Sequence, residues 1–245
     1  MELHPIAHAR NGFTDKFGIP RQVRDCTSLR TRIVFCPPYR SDDAIRGITE
    51  FSHLWLLWGF HEAADTHSLT VRPPRLGGNV RVGVFATRSP YRPNPLGLTS
   101  VRLVDVEHTA EGPVLVVEGA DMMDGTPIYD IKPYLRYCDS QSDSRDGFVD
   151  ATPRRMLKVV WPEPLPTGLP LQELCEILEQ DPRPAYHDDP ERIYGIDYAG
   201  WNIHFRVADG TLYVTDLRKA NNHNYLKTDC NEKVTDHPER FNPKP

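Results

Sequence analysis

The chain of 245 residues contains five cysteines, and no two of them have the CxxC spacing. An odd and scattered set of cysteines argues against a disulfide framework and is typical of a reducing compartment. The longest aromatic and apolar run, from Phe51 to Phe60, is about half of the roughly 20 apolar residues that a membrane-spanning helix needs. The first ten residues lack the apolar core of a secretory signal. We therefore predict a cytoplasmic protein without a membrane segment.

Several cofactor and catalytic motifs are also missing. The sequence contains no GxGxxG and no Walker loop, so a nucleotide cofactor would not be held in the Rossmann or P-loop manner. It has no HExxH motif and no paired cysteine and histidine spacing, and we predict no metal site. A GxSxG elbow, which would indicate a hydrolase, is absent as well.

Prolines are abundant, with 23 against 16 glycines, which favours short elements joined by rigid turns. Most of the first 160 residues have the pattern of short strands without intervening helices, which favours a closed or nearly closed barrel. The alternation from Leu98 to Val106 changes phase near Leu103 and predicts a β-bulge. The predicted strands are 31–35, 52–60, 80–85, 98–106, 113–119 and 155–161, the last of which closes the series.

A proline-rich linker follows residue 161, and the apolar spacing of Leu171, Leu174, Ile177 and Leu178 then predicts a helix. A hairpin is predicted around Asp209-Gly210. The fold class is therefore mainly β, with a β-barrel domain over residues 1–161, a small C-terminal α+β domain over residues 162–217 and a disordered tail over residues 218–245.

The net charge of −5 hides an uneven distribution. No acidic residue occurs between Asp65 and Asp105, and such a window predicts a basic face that suits a polyanion. The arginines of this window are Arg72, Arg75, Arg81, Arg88, Arg92 and Arg102.

A proline-rich loop lies inside this window, over residues 83–97. Arg88 and Arg92 offer planar guanidinium donors that suit a carboxylate or a phosphate, and Asn94 adds an amide. A rigid turn with solvated arginines is the plain alternative. Because both arginines share a rigid loop without acidic neighbours, we favour a binding role.

A second segment, residues 119–134, carries three aspartates. Asp124-Gly125 is a turn signal. Asp121 and Asp130 could hold a ribose or a cation, but Asp130 is equally suited to a salt bridge with Lys132 or an arginine. Among the histidines, His53 fits a buried strand position, whereas His61 stands where strand ends meet ligands and is the better catalytic candidate.

These residues together resemble the TsaA-like family, the TrmO-type tRNA methyltransferases. The resemblance covers about residues 3–217. It rests on long motifs at residues 16–22, 51–55, 72–78, 83–97, 124–134 and 181–186, together with His61. The sequence departs from the family in having Ala9-Arg10-Asn11-Gly12 where a Ser-Pro turn is usual. The resemblance implies a non-Rossmann β-barrel that binds S-adenosylmethionine (SAM), a homodimer, and N6-methylation of threonylcarbamoyladenosine beside the tRNA anticodon.

The resemblance also assigns roles to individual residues. The SAM site would comprise Arg21, Gln22, His61, Glu62, Arg88, Leu98, Gly119 and Asp121. The modified base and the tRNA would be bound by Arg75, Arg92, Asn94, Lys132 and Tyr134, with Arg92 or Arg75 facing the threonyl carboxylate. Asp124, Asp130 and His61 are the candidates for a general base. Two other functions stay open, a non-catalytic RNA-binding barrel and a SAM-sensing regulatory protein.

Overall fold

A computed structural model describes residues 2–20, 26–63, 67–73, 76, 79–149, 156–183 and 189–220. The predicted site residues Arg21, Gln22 and Arg75 lie outside the described residues, as does most of the predicted tail. The described chain forms three sheets, two of which have cores of their own.

Six strands form a closed barrel in which every neighbouring pair is antiparallel. Its strands, in the order in which they are hydrogen-bonded around the barrel, are β1 (Ala7–Arg10), β2 (Thr31–Phe35), β7 (Gly112–Glu118), β6 (Leu96–Thr109), β3 (His53–Gly59) and β8 (Pro127–Pro133).

Strand alternation explains which side chains fill the barrel. In β3, Leu54, Leu56 and Trp58 are buried in the barrel core, whereas the residues between them are partly exposed. The predicted bulge in β6 is confirmed, because the pairing with β7 shifts between Leu103 and Asp105. The mainly β fold class is confirmed as well.

A second sheet contains β9 (Lys158–Val160), β10 (Tyr194–Tyr198), β11 (Trp201–Ala208) and β12 (Thr211–Lys219). Helix α2 (Leu171–Glu179) buries Leu174, Ile177 and Leu178 in the core of this unit, as predicted. Strand β12 ends at Lys219, one residue beyond the predicted start of the tail.

The prediction that residues 155–161 close the barrel is wrong. Strand β9 instead runs parallel to β12, with Leu212 opposite Val159. The core of the second sheet also takes side chains from early in the chain, Phe13, Cys26 and Leu29. A three-residue strand carries too little pattern to specify which sheet it joins.

The connection between β3 and β6 holds the proline-rich loop. It begins with a small ribbon of β4 (Thr70–Val71) and β5 (Val82–Gly83). The strand predicted over residues 80–85 is therefore too long, since a 3₁₀ turn starts at Val84. The remaining helix, α1 (Arg136–Asp139), follows β8. In the part of the chain that the structure describes, no helix is long and apolar enough to cross a membrane.

Candidate active site

Four barrel strands end or begin at one rim. Gly59, the last residue of β3, pairs with Leu96, the first of β6, and Phe60 N donates to Pro95 O at 2.9 Å. The loop from the end of β7 to the start of β8 lies at the same rim, since Ile128 pairs with Trp58. The rim therefore collects residues from three separate sequence segments.

A hydrogen-bonded chain fixes one carboxylate at this rim. Trp58 Nε1 donates to Thr99 Oγ1 at 3.0 Å, and that hydroxyl donates to Asp121 Oδ1 at 2.5 Å. Trp58 is only 5% exposed, whereas Asp121 is exposed. The buried indole of Trp58 thereby orients the Thr99 hydroxyl, which donates a hydrogen bond to the Asp121 carboxylate. The second oxygen of that carboxylate faces outward and has no partner among the described residues.

Glycine makes this arrangement sterically feasible. A Cβ on Gly97 would lie 2.2 Å from the Trp58 ring, so only glycine lets the indole lie against β6. Gly119, at the end of β7, has φ +82°, a left-handed conformation that favours glycine and turns the chain toward Asp121. Leu98 is 55% exposed and adds apolar surface beside Thr99.

A cavity of 290 Å³ lies at the same rim where β3 meets β6. His61 and Asn94 supply its polar groups, and Phe60 and Tyr129 supply aromatic walls. His61 Nε2 lies 3.9 Å from Glu62 Oε1, which is a loose contact, and both side chains are accessible. The predicted residues His61, Glu62 and Asn94 are thus neighbours.

The two arginines of the proline-rich loop have different roles. Arg92 Nη1 donates to the carbonyl oxygens of Thr87 and Ser89 at 3.0 and 3.4 Å, so its guanidinium holds the loop together. Arg88 is exposed and has no ion-pair or hydrogen-bond partner among the described residues. It is therefore the arginine of this loop that can meet a ligand.

Both predicted catalytic aspartates, Asp124 and Asp130, are held by other groups. Asp124 Oδ1 accepts from Asn11 N at 3.0 Å, and Arg10 lies 3.6 Å from Oδ2, so Asp124 braces the loop that follows β1. Asp130 Oδ2 lies 2.9 Å from Lys132 Nζ, the salt bridge that the sequence left open. Neither Asp124 nor Asp130 is among the residues that line the rim cavity.

A larger cavity of 570 Å³ lies on the outer face of the barrel. Gly119 borders it, together with Arg102 and Glu118. Tyr134 and His53 form an aromatic wall, with ring centroids 6.2 Å apart. His53, which the sequence suggested to be buried in the core, is exposed on this wall, and that prediction is wrong.

Comparison with known proteins decides the family. Residues 8–140 match the profile described as the tRNA-methyltransferase O N-terminal domain, and residues 165–220 match the TrmO C-terminal domain. An Escherichia coli protein named tRNA (adenine(37)-N6)-methyltransferase is 38% identical over 89% of this chain and 97% of its own. The chain belongs to the TrmO family.

Other relatives agree. A Pseudomonas aeruginosa protein that carries the name of an S-adenosylmethionine-dependent methyltransferase is 41% identical over 83% of this chain and 91% of its own. The crystal structure of TrmO from Pseudomonas aeruginosa matches with a TM-score of 0.73 and 32% identity over 89% of this chain and 98% of the other. The sequence-based predictions of the family and of a SAM-dependent tRNA methyltransferase are therefore confirmed.

One residue near the rim, His8, escaped the sequence reasoning. His8, in β1, has its pKa lowered by burial, with further lowering by the charges of Arg10 and His61. Its Nδ1 lies 3.7 Å from Cys36 Sγ. His8 is thus a neutral imidazole at physiological pH and an electrostatic neighbour of His61. No motif singles it out, because its proximity to His61 arises only when the barrel closes.

The rim thus brings together most of the described residues assigned to the cofactor. Leu98 lies opposite Leu57 of β3, and Gly119 and Asp121 follow the last residue of β7. His61 and Glu62 follow β3, and His61 lines the rim cavity. Strand β8 begins with Pro127 at the rim. Lys132 and Tyr134 lie instead toward its other end. Among the described residues, no cluster of three or more His, Cys, Asp or Glu side chains could hold a metal ion.

Proposed function

We propose that this TrmO-family protein methylates N6 of threonylcarbamoyladenosine at position 37 of tRNA, with SAM as the methyl donor. The observation that carries the proposal is the carboxylate of Asp121, which a chain of hydrogen bonds from the buried Trp58 through Thr99 holds at an exposed barrel rim. The chain aligns with 97% of the length of an Escherichia coli relative that is named tRNA (adenine(37)-N6)-methyltransferase.

The rim residues, together with Arg88 of the proline-rich loop, fit the chemical groups of SAM. The outward oxygen of Asp121 suits ribose hydroxyls, and the exposed Arg88 guanidinium suits the carboxylate of the methionine part. Leu98 offers apolar surface to the adenine ring. The bound cofactor supplies a methyl group on a positively charged sulfur, so alignment of the acceptor contributes much of the rate.

The acceptor nitrogen must lose a proton, and Asp124, Asp130 and His61 remain the candidates to take it. The carboxylates of Asp124 and Asp130 already hold Asn11 and Lys132. His61 has only the loose contact with Glu62 and lines the rim cavity. A general base contributes about 10²- to 10⁴-fold to the rate of such a transfer.

Binding of tRNA is supported by the connection between β3 and β6. The arginines Arg72, Arg81 and Arg88 are exposed there, and no acidic residue occurs from 66 to 104. Such a face neutralises phosphates, so tRNA affinity should fall steeply with salt.

We also propose a cytoplasmic homodimer. Val104 leaves apolar surface exposed on β6, which a second copy would cover.

Mass spectrometry of nucleosides tests the reaction. The protein is incubated with SAM and tRNA that carries threonylcarbamoyladenosine or lacks it. A mass gain of one methyl group on that nucleoside alone is the expected result. tRNA binding without methyl transfer would instead support a non-catalytic RNA-binding barrel. SAM binding without tRNA affinity would support a regulatory protein.

A further inference from the structure

The cavity on the outer face of the barrel has an excess of positive charge. The residues that line it include two arginines, Arg102 and Arg136, and a single carboxylate, that of Glu118. Glu118 is 8% exposed and already has two cationic partners: Oε1 lies 2.8 Å from Arg30 Nη1, and Oε2 lies 3.1 Å from Arg102 Nη1. The cavity therefore retains uncompensated positive charge beside its one acid.

Arg136 carries most of this available charge. It is exposed, and no carboxylate of the described chain lies within ion-pair distance of its guanidinium. The nearby acid Asp139, three residues further along α1, is turned away from it. Asp139 Oδ2 accepts from Leu135 N at 2.8 Å and from Trp55 Nε1 at 3.0 Å.

The same two bonds fix the backbone that carries Arg136. They tie α1 to β3 and lower the pKa of Asp139, first through the backbone N–H of Leu135 and then through the Trp55 indole, so the carboxylate stays ionised. The backbone of α1 is therefore anchored beside the cavity that Arg136 lines.

An aromatic wall completes the cavity. Tyr134 N donates to His53 O at 2.9 Å, and the Tyr134 ring lies 5.6 Å from the Trp55 ring and 6.2 Å from the His53 ring. A flat, conjugated group can stack on such a wall, and an anionic end would then meet a guanidinium.

The geometry points to this cavity as the site for the carboxylate-bearing arm of the substrate base, with Arg136 as the residue that recognises the carboxylate and Tyr134 as the stacking surface. This inference rests on the proposed function. Of the two arginines that the sequence favoured for the carboxylate, Arg92 holds its own loop, and Arg75 lies outside the described residues. Gly119 borders both this cavity and Asp121, so the arm and the cofactor would lie on the two sides of one strand end.

Kinetics with three synthetic anticodon stem-loops test the inference. The first carries the carboxylate arm on the adenine, the second carries the same arm as a carboxamide, and the third carries unmodified adenine. Each is assayed with the wild type, Arg136→Ala, Arg136→Lys and the control Arg46→Ala, which removes an exposed arginine outside the cavity. SAM affinity and melting temperature are measured for every variant.

We expect Arg136→Ala to raise KM for the carboxylate substrate about 10- to 100-fold, as loss of a charge-assisted hydrogen bond predicts. Its SAM affinity should be unchanged, and it should no longer distinguish carboxylate from carboxamide. Arg136→Lys should recover part of the loss, and Arg46→Ala should stay within about twofold of the wild type.

Two outcomes would contradict the inference in different ways. A wild type that methylates the carboxylate stem-loop, with Arg136→Ala matching its KM and its discrimination, overturns the role of Arg136 and leaves the proposed function intact. A folded, SAM-binding wild type that methylates none of the three stem-loops overturns the proposed function, and the inference with it.

Discussion

Substitution of Thr99 by valine tests the hydrogen-bonded chain that fixes Asp121. Valine keeps the shape of threonine but removes the hydroxyl that accepts from Trp58 Nε1 and donates to Asp121 Oδ1. Because Trp58 is 5% exposed, its N–H would lose its partner away from water. An unsatisfied buried donor costs about 1–3 kcal/mol, so the free energy of unfolding should fall by that amount.

The same substitution should weaken SAM binding, because Asp121 would no longer be held in one orientation. We expect a loss of about tenfold, which corresponds to one hydrogen bond of about 1.4 kcal/mol. Urea unfolding measures the stability, and isothermal titration calorimetry measures the affinity. Thr99→Ser keeps the hydroxyl and serves as the control. If Thr99→Val matches Thr99→Ser in both measurements, the chain does not orient Asp121 and our description of the rim is wrong.

Three further predictions concern residues around the rim. Gly97→Ala should lower the free energy of unfolding by about 1–3 kcal/mol, because the new Cβ forces Trp58 aside, as urea unfolding will show. Arg88→Ala should weaken SAM binding about tenfold in calorimetry, whereas Arg46→Ala should not. His8 has a folded pKa below its ordinary 6.5, so its contribution to stability is present above pH 6.5 and is lost as the pH falls through the lowered value. His8→Gln should therefore lose less stability than the wild type between pH 7.5 and pH 5.

Each of these predictions has a result that would contradict it. Unchanged stability of Gly97→Ala would mean that the indole has room to move. Equal SAM affinity of Arg88→Ala and the wild type would remove Arg88 from the cofactor site. Parallel pH profiles for His8→Gln and the wild type would show that burial of this imidazole has no effect on folding.

Elements with a local pattern could be predicted from the sequence. The phase change at Leu103 gave the bulge in β6, and the apolar spacing of Leu174, Ile177 and Leu178 gave α2. Strand β9 was misplaced because pairing of a three-residue strand depends on a partner more than 50 residues away in the chain.

The site was predictable at the level of segments rather than contacts. Family motifs indicated Leu98, Gly119 and Asp121, and the structure places the first on β6 and the other two directly after β7. The bond from Trp58 to Thr99 joins residues 41 positions apart, and no local pattern specifies such a bond. Nor does the sequence distinguish a ligand-binding arginine from Arg92, whose partners are the carbonyl oxygens of its own loop.

Binding of SAM to Asp121→Asn tests the central claim most directly. Asparagine keeps the size of the side chain but removes the charge that Thr99 orients at the rim. The matched control is Asp105→Asn, which removes an exposed carboxylate further along β6. We predict that Asp121→Asn binds SAM at least tenfold more weakly than the wild type in calorimetry, with Asp105→Asn unchanged. Wild-type affinity in a folded Asp121→Asn protein would show that the cofactor does not bind at this rim.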